Sequence, residues 1–122
     1  MPAILIVEDD RHRALTLKKY LQTNSVEVLL AEDGLEAMTI LRTEKPDLIL
    51  SDANMPGMDG FALARNVKSN ETIKRLPFFL YSSKRLPDDN TSLAYRWGVN
   101  RCIMNEDIEE IGYEALAYLK AM

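Results

Sequence analysis

The chain has 122 residues, a formal net charge of −4 and a sequence pI near 5.0. This length fits one domain with a substantial core, and the hydrophobic share of 47% and charged share of 28% are those of a globular protein. No stretch gathers enough basic residues to form a nucleic-acid-binding face, because Lys18-Lys19 and Lys84-Arg85 are isolated pairs.

Cysteine usage and the N-terminal sequence indicate the compartment. The single cysteine, Cys102, excludes an internal disulfide and fits a reducing environment. No secretory signal pattern and no apolar run of membrane-spanning length is present. We therefore expect a cytoplasmic protein that contacts neither nucleic acid nor a membrane directly.

Short apolar runs alternate with segments of helical periodicity from one end of the chain to the other. The runs predict strands at 3–7, 26–31, 47–51, 78–81 and 100–104, and the periodic segments predict helices at 10–23, 34–44, 59–69 and 88–97 and a last helix capped by Asp107. In the second helix, Leu35, Met38 and Leu41 share the apolar face. Such alternation predicts an α/β fold, with a parallel sheet of five strands and helices on both faces.

The segment from Ser51 to Gly60 places a carboxylate at the mouth of a strand. Asp52 follows the apolar run of the third strand, and Pro56 and Gly57 signal a turn there. Asp59 is the expected N-cap of the third helix. The turn leaves Asp52 uncovered at the sheet edge where open α/β sheets bind ligands.

Polar residues also end two other strands. Glu8 and Asp9 follow the first strand, and Ser82 ends the fourth. If the first and third strands are neighbours, Glu8, Asp9 and Asp52 converge and raise one another's pKa unless a cation lies among them. Such oxygen ligands suit a hard divalent ion, most naturally Mg²⁺. Asp10 is expected to cap the first helix and His12 to lie on the surface.

Three segments of the chain match the pattern of one known family. They are Ile4-Leu5-Ile6-Val7-Glu8-Asp9-Asp10, Pro46 to Asp52 with Met55-Pro56-Gly57-Met58-Asp59-Gly60, and Pro77 to Ser83. Through these segments the whole chain resembles the receiver domains of response regulators in two-component signalling. The resemblance implies a flavodoxin-like (βα)5 sheet of order 2-1-3-4-5. It also implies a single receiver domain over 1–122 without an output domain.

The resemblance implies a role for each site residue. Asp52 would take a phosphoryl group from a phosphohistidine, and Ser82 would hydrogen-bond that group. Asp9, Asp52 and the backbone carbonyl of Asn54 would bind Mg²⁺, which Glu8 would hold through water. Asn54 and Lys84 would tune hydrolysis of the phosphoryl group.

The same resemblance implies partners and limits the chemistry. A sensor histidine kinase or histidine phosphotransfer protein would donate the phosphoryl group. An unidentified downstream protein would read the face formed by helix four, strand five and helix five. The chain would not be an enzyme beyond its own phosphorylation and dephosphorylation, and a homodimer is left open.

Two positions depart from the receiver pattern. Asn105, or Met104 in the neighbouring register, stands where the family has a lysine at the end of strand five, and Cys102 stands where it has a switch aromatic. Lys84 or Arg85 could supply the charge from the loop. We expect Cys102 to be a small buried hydrophobe, so that any aromatic switch would use Tyr95 or Trp97.

Three alternatives compete with phosphorylation at Asp52. The first is an atypical receiver that binds proteins independently of phosphorylation, which the departures at Asn105 and Cys102 favour. An aspartate-nucleophile phosphatase fits poorly, because the D-x-D sequence after the first strand is absent from Val7 to Asp10. An EF-hand is excluded, because Pro56 and Leu63 occupy positions that need oxygen ligands.

Overall fold

A computed structural model describes residues 1–122 and shows five strands alternating with five helices. The strands are β1 (Ala3–Val7), β2 (Glu27–Ala31), β3 (Leu48–Asp52), β4 (Phe78–Ser82) and β5 (Arg101–Met104). The helices are α1 (Arg11–Thr23), α2 (Gly34–Ile40), α3 (Gly60–Lys68), α4 (Asp88–Trp97) and α5 (Ile108–Lys120). None of these helices combines the length and apolar character that crossing a membrane requires.

The strands form one parallel sheet in the order β2-β1-β3-β4-β5, which confirms the flavodoxin-like prediction. The register aligns Val7 with Ser51 and Asp52 with Tyr81. The carboxyl ends of β1, β3 and β4 therefore lie side by side, and the residues that follow them emerge at one edge.

The core consists of two apolar layers, one on each face of the sheet. One layer packs residues of α1 and α5 against the sheet, and the other packs residues of α2, α3 and α4. Successive strand residues alternate between them, so that Ile4 belongs to the first layer and Leu5 to the second. All five residues of β3 and of β4 are buried, as expected for central strands of a parallel sheet.

Side-chain caps begin four of the helices. Asp10, Asp33, Asp59 and Asp107 each accept a hydrogen bond from a backbone N–H in the first turn of the helix that follows. Gly98 ends α4 in the left-handed conformation, with a φ of 105° that other residues rarely adopt. The caps predicted at Asp10, Asp59, Asp107 and Gly98 are confirmed.

The second helix differs from its prediction. It ends at Ile40 rather than Glu44, because the backbone N–H groups of residues 42 and 43 bond three residues back and tighten the chain into turns. Leu35 is 68% exposed, so its expected place on the packed face is wrong. Ala37 and Leu41 fill that face instead, and at about 100° per residue Leu35 lies roughly opposite Ala37. The other predicted ends agree within one residue.

At one edge of the sheet, α4 contacts β5 through a side chain. The Tyr95 hydroxyl accepts a hydrogen bond of 2.9 Å from the backbone N–H of Cys102. Cys102 packs against the core, as predicted for a small hydrophobe, but it is only partly buried. The strand is too close to solvent at this edge to enclose it.

Candidate functional site

Three carboxylates meet at the edge where β1 and β3 end. Glu8, Asp9 and Asp52 each offer an oxygen, and these oxygens all lie within 4.8 Å of one another. Glu8 and Asp52 are buried, whereas Asp9 is exposed. The pairing of Val7 with Ser51 produces this convergence, because it brings the residues after β1 beside the last residue of β3.

Asp52 lies in an environment that disfavours its charged form. Burial, and next the negative charge of Glu8, raise the pKa of Asp52 to about 7, although the backbone N–H of Asn54, at 3.0 Å from Oδ1, opposes the rise. Near neutral pH a large fraction of Asp52 is therefore protonated. A divalent ion would relieve the same repulsion.

Glu8 is held by three donors. Its Oε1 accepts from the Tyr81 hydroxyl at 2.8 Å and from Arg13 Nε at 3.2 Å, and its Oε2 accepts from the backbone N–H of Asp10 at 3.1 Å. The guanidinium carbon of Arg13 also lies 6.0 Å from the centre of the Tyr81 ring. Burial, and next the charge of Glu8, raise the pKa of Tyr81, so that it remains a donor. The Glu8 carboxylate is consequently fixed in orientation.

Arg13 and Tyr81 were not identified from the sequence. Tyr81 stands inside the apolar run of β4 and reads as a core aromatic, and Arg13 reads as a surface residue of α1. The one available signal was a phenol placed immediately before Ser82. A phenol in a buried strand needs a hydrogen-bond partner, and the carboxyl edge of the sheet offers one.

Ser82 joins two loops beside Asp52. Its buried Oγ accepts hydrogen bonds of 3.1 Å from Asn54 Nδ2 and from the backbone N–H of Lys84. Asn54 itself is exposed and lies at the rim. Both bonds use the hydroxyl oxygen as acceptor, so the hydroxyl proton is free to donate, although Ser82 itself does not line the cleft.

An open cleft of about 610 Å³ lies above the cluster. Its lining includes the three carboxylates, Arg13, Asn54 and the loop from Ser83 to Pro87. In that loop, the exposed Arg85 forms an ion pair of 3.0 Å with Asp88, whereas Lys84 forms no ion pair. The cleft is polar and wide enough for a phosphoryl group with its ion.

The end of β5 brings no charge to this cleft. The Asn105 side chain accepts a hydrogen bond of 2.9 Å from the backbone N–H of Asp107, and its own backbone N–H donates to the Ser82 carbonyl at 2.9 Å. Met104 pairs with Ser82 across the sheet, and its Sδ accepts from the backbone N–H of Leu86. Neither Asn105 nor Met104 lines the cleft.

Comparison with known proteins assigns the family. Residues 4–111 match the response regulator receiver domain. Protein PilH of Pseudomonas aeruginosa is 32% identical over 98 residues, which are 80% of this chain and 77% of PilH. A gliding motility regulatory protein of Myxococcus xanthus is 36% identical over 86 residues, and there the match spans 70% of this chain but only 11% of the relative.

A solved structure agrees over the full length. The crystal structure of the Mn²⁺-bound form of response regulator Rcp1 superposes with a TM-score of 0.86 and 25% identity, covering 100% of this chain and 97% of Rcp1. The order of the strands, the acidic cluster at their carboxyl ends and these matches lead to one assignment. The chain belongs to the response regulator receiver domain family.

Proposed function

We propose that this receiver domain accepts a phosphoryl group from a phosphohistidine onto Asp52 in the presence of Mg²⁺. The observation that carries this proposal is the convergence of Glu8 and Asp9 on a buried Asp52 whose pKa is raised to about 7. The donor would be a sensor histidine kinase or a histidine phosphotransfer protein, since such proteins phosphorylate members of this family. We expect no reaction on other substrates.

The donor set fits Mg²⁺. Asp9 and Asp52 offer carboxylate oxygens, the backbone carbonyl of Asn54 lies on the adjoining loop, and Mg²⁺ prefers such oxygen ligands together with water. Glu8 already accepts three hydrogen bonds, which favours contact through a water molecule. When bound, Mg²⁺ would neutralise charge on the transferring group. Rcp1, which is similar over the whole chain, is a relative whose crystal structure contains Mn²⁺.

The chemistry requires the charged form of Asp52. One of its carboxylate oxygens forms a bond to phosphorus, the phosphorus–nitrogen bond of the phosphohistidine breaks, and the electron pair stays on the imidazole nitrogen. Ser82, once its hydroxyl turns toward the cleft, donates to a phosphoryl oxygen. Asn54 and Lys84 line the cleft that would hold the phosphoryl group, so these two residues would set the rate of its hydrolysis.

Ser82 connects this chemistry to the face formed by α4, β5 and α5. Its hydroxyl is bonded to the loop before α4, and its carbonyl accepts from Asn105 just after β5. A shift of Ser82 toward the phosphoryl group would therefore pull on both. Large exposed side chains on this face, Leu93, Tyr95, Met104 and Tyr113, would present the change to a downstream protein.

Incubation with Mg²⁺ and acetyl phosphate, followed by intact mass measurement, tests the proposal. We expect an adduct of one phosphoryl group on the wild type and on Asp89→Asn, an exposed control, and none on Asp52→Asn. No wild-type adduct, together with no binding of beryllofluoride, would contradict it. That result would instead support a receiver that binds proteins independently of phosphorylation, the alternative favoured by the absence of a charged side chain at the end of β5.

A further inference from the structure

Arg13 is the basic side chain that is bonded to the acidic cluster. Its Nε donates to Glu8 at 3.2 Å, and its guanidinium lies over the ring of Tyr81. The Arg13 side chain is 24% exposed, so it is partly shielded from water while still reaching the cleft. The protein therefore holds one fixed positive charge beside its three carboxylates.

The charge balance shows why one cation matters. With Asp52 phosphorylated, Glu8 and Asp9 contribute −2, the phosphoryl group about −2 and Mg²⁺ +2, which leaves about −2 on the site. Arg85 is paired with Asp88 at the start of α4, Lys84 lines the cleft with an exposed side chain that no protein group holds, and the end of β5 is uncharged. Adding Arg13 brings the balance to about −1.

The geometry of the guanidinium leaves donors free for a ligand. Only Nε is used by Glu8, and the two terminal NH₂ groups of Arg13 donate to no protein acceptor. Arg13 and Asp52 line the same cleft, and the charges of the two groups act on each other's pKa. A planar guanidinium held by one donor presents the remaining two in a fixed direction.

We propose that Arg13 is a catalytic residue whose terminal NH₂ groups donate to the phosphoryl oxygens during transfer onto Asp52. This role rests on the proposed function. As the Asp52 oxygen bonds to phosphorus, the bond to the donor's leaving group breaks with its electron pair, and the three phosphoryl oxygens keep the negative charge that Arg13 stabilises. Glu8 and Tyr81 orient the guanidinium for this purpose.

The test distinguishes two roles of Arg13: stabilising charge on the phosphoryl group, and holding the Glu8 carboxylate in place. Rates of phosphorylation by acetyl phosphate are measured at saturating Mg²⁺, and Mg²⁺ affinity by calorimetry, for the wild type, Arg13→Ala, Arg13→Gln and Arg13→Lys. Arg11→Ala is the matched control, because it removes the same charge from an exposed position of the same helix. Circular dichroism verifies the fold of each variant, and Arg13→Gln, which keeps a donor for Glu8, serves if Arg13→Ala unfolds.

We expect Arg13→Ala and Arg13→Gln to slow phosphorylation about tenfold or more, with partial recovery in Arg13→Lys and no change in Arg11→Ala. Mg²⁺ affinity should be unchanged or about threefold tighter, since a repelling charge is lost.

Wild-type rates in both neutral variants would overturn the role. Weaker Mg²⁺ binding, with normal phosphorylation rates at saturating Mg²⁺, would show that Arg13 only supports Glu8, and that result would also overturn the catalytic role. Absence of an adduct on the wild type refutes the proposed function together with this role, whereas an adduct that is independent of Arg13 refutes this role alone.

Discussion

Replacing Asp52 with asparagine should stabilise the metal-free protein, and the gain should grow with pH. In the folded protein the pKa of Asp52 is raised to about 7, first by burial and next by Glu8, against 3.8 for the free side chain. Between these values the folded state binds more protons than the unfolded state, so stability falls as pH rises. The asparagine side chain never ionises, and the variant escapes this loss.

The size of the effect follows from the two pKa values. Each unit between them corresponds to about 1.4 kcal/mol. The ionisation of Asp52 therefore costs the wild type about 0.6 kcal/mol at pH 4, about 1.7 kcal/mol at pH 5 and about 4 kcal/mol at pH 8. The last figure is an upper bound, because the site can admit water and soften the repulsion, and a gain of about 2 to 4 kcal/mol is expected.

Urea unfolding followed by circular dichroism in EDTA, from pH 4 to pH 8, measures the difference in free energy of unfolding. Glu44→Gln is the control, because it removes an exposed loop carboxylate without a side-chain hydrogen bond and should change stability by less than about 0.5 kcal/mol. Groups outside the carboxylate cluster titrate in both proteins, so the difference reports on Asp52 and its interaction with the cluster. A gain that is constant with pH, or a loss at pH 8, would refute the reasoning about the carboxylate cluster.

Three further outcomes follow from the same structure. Mg²⁺ competes with the proton on Asp52, so the Mg²⁺ affinity of the wild type should fall about tenfold between pH 8 and pH 6 by calorimetry, and an affinity that is flat with pH would contradict this. Gly60→Ala should lower the free energy of unfolding in urea by about 2 kcal/mol or more, because its Cβ would press on the Asp52 carbonyl and lie 2.8 Å from Ala53 Cα. Gly57→Ala has open space around it but a φ of 72°, and it should cost about 1 kcal/mol. Equal losses would disprove the close approach. Tyr81→Phe removes a donor from buried Glu8 and should lower the free energy of unfolding in urea at pH 7 by about 1 to 3 kcal/mol. The exposed control Tyr113→Phe should change it little. No loss of stability in Tyr81→Phe would show that Glu8 does not need this hydroxyl.

The elements of the fold could be predicted because local signals were strong. Strands buried on both faces read as unbroken apolar runs, and aspartates and Gly98 marked the helix ends. The order of the strands came from resemblance, since periodicity does not encode which strands pair. Leu35 was misplaced because an apolar residue in the first turn of α2 looks the same in sequence whether it faces the core or solvent.

The candidate site was predictable only in part. The convergence of Glu8, Asp9 and Asp52 could be predicted, because the carboxyl ends of parallel strands lie at the same edge of the sheet. The partners of Glu8 could not, because the Tyr81 hydroxyl meets it across 73 positions of sequence, through the geometry of three adjacent strands. Similarly, the sequence does not show that the Asn105 side chain orders the turn before α5.

The contact between Tyr95 and Cys102 has a consequence for how molecules of this protein meet one another. The outer strand of an open sheet can pair with a strand of another chain, which leads to fibres and swapped dimers. On β5 the N–H of Cys102 is already occupied by the Tyr95 hydroxyl, and the neighbouring Arg101 is paired with Glu114 of α5. An incoming backbone would have to displace both before it could dock, so this edge resists aggregation although it is not covered by a further strand.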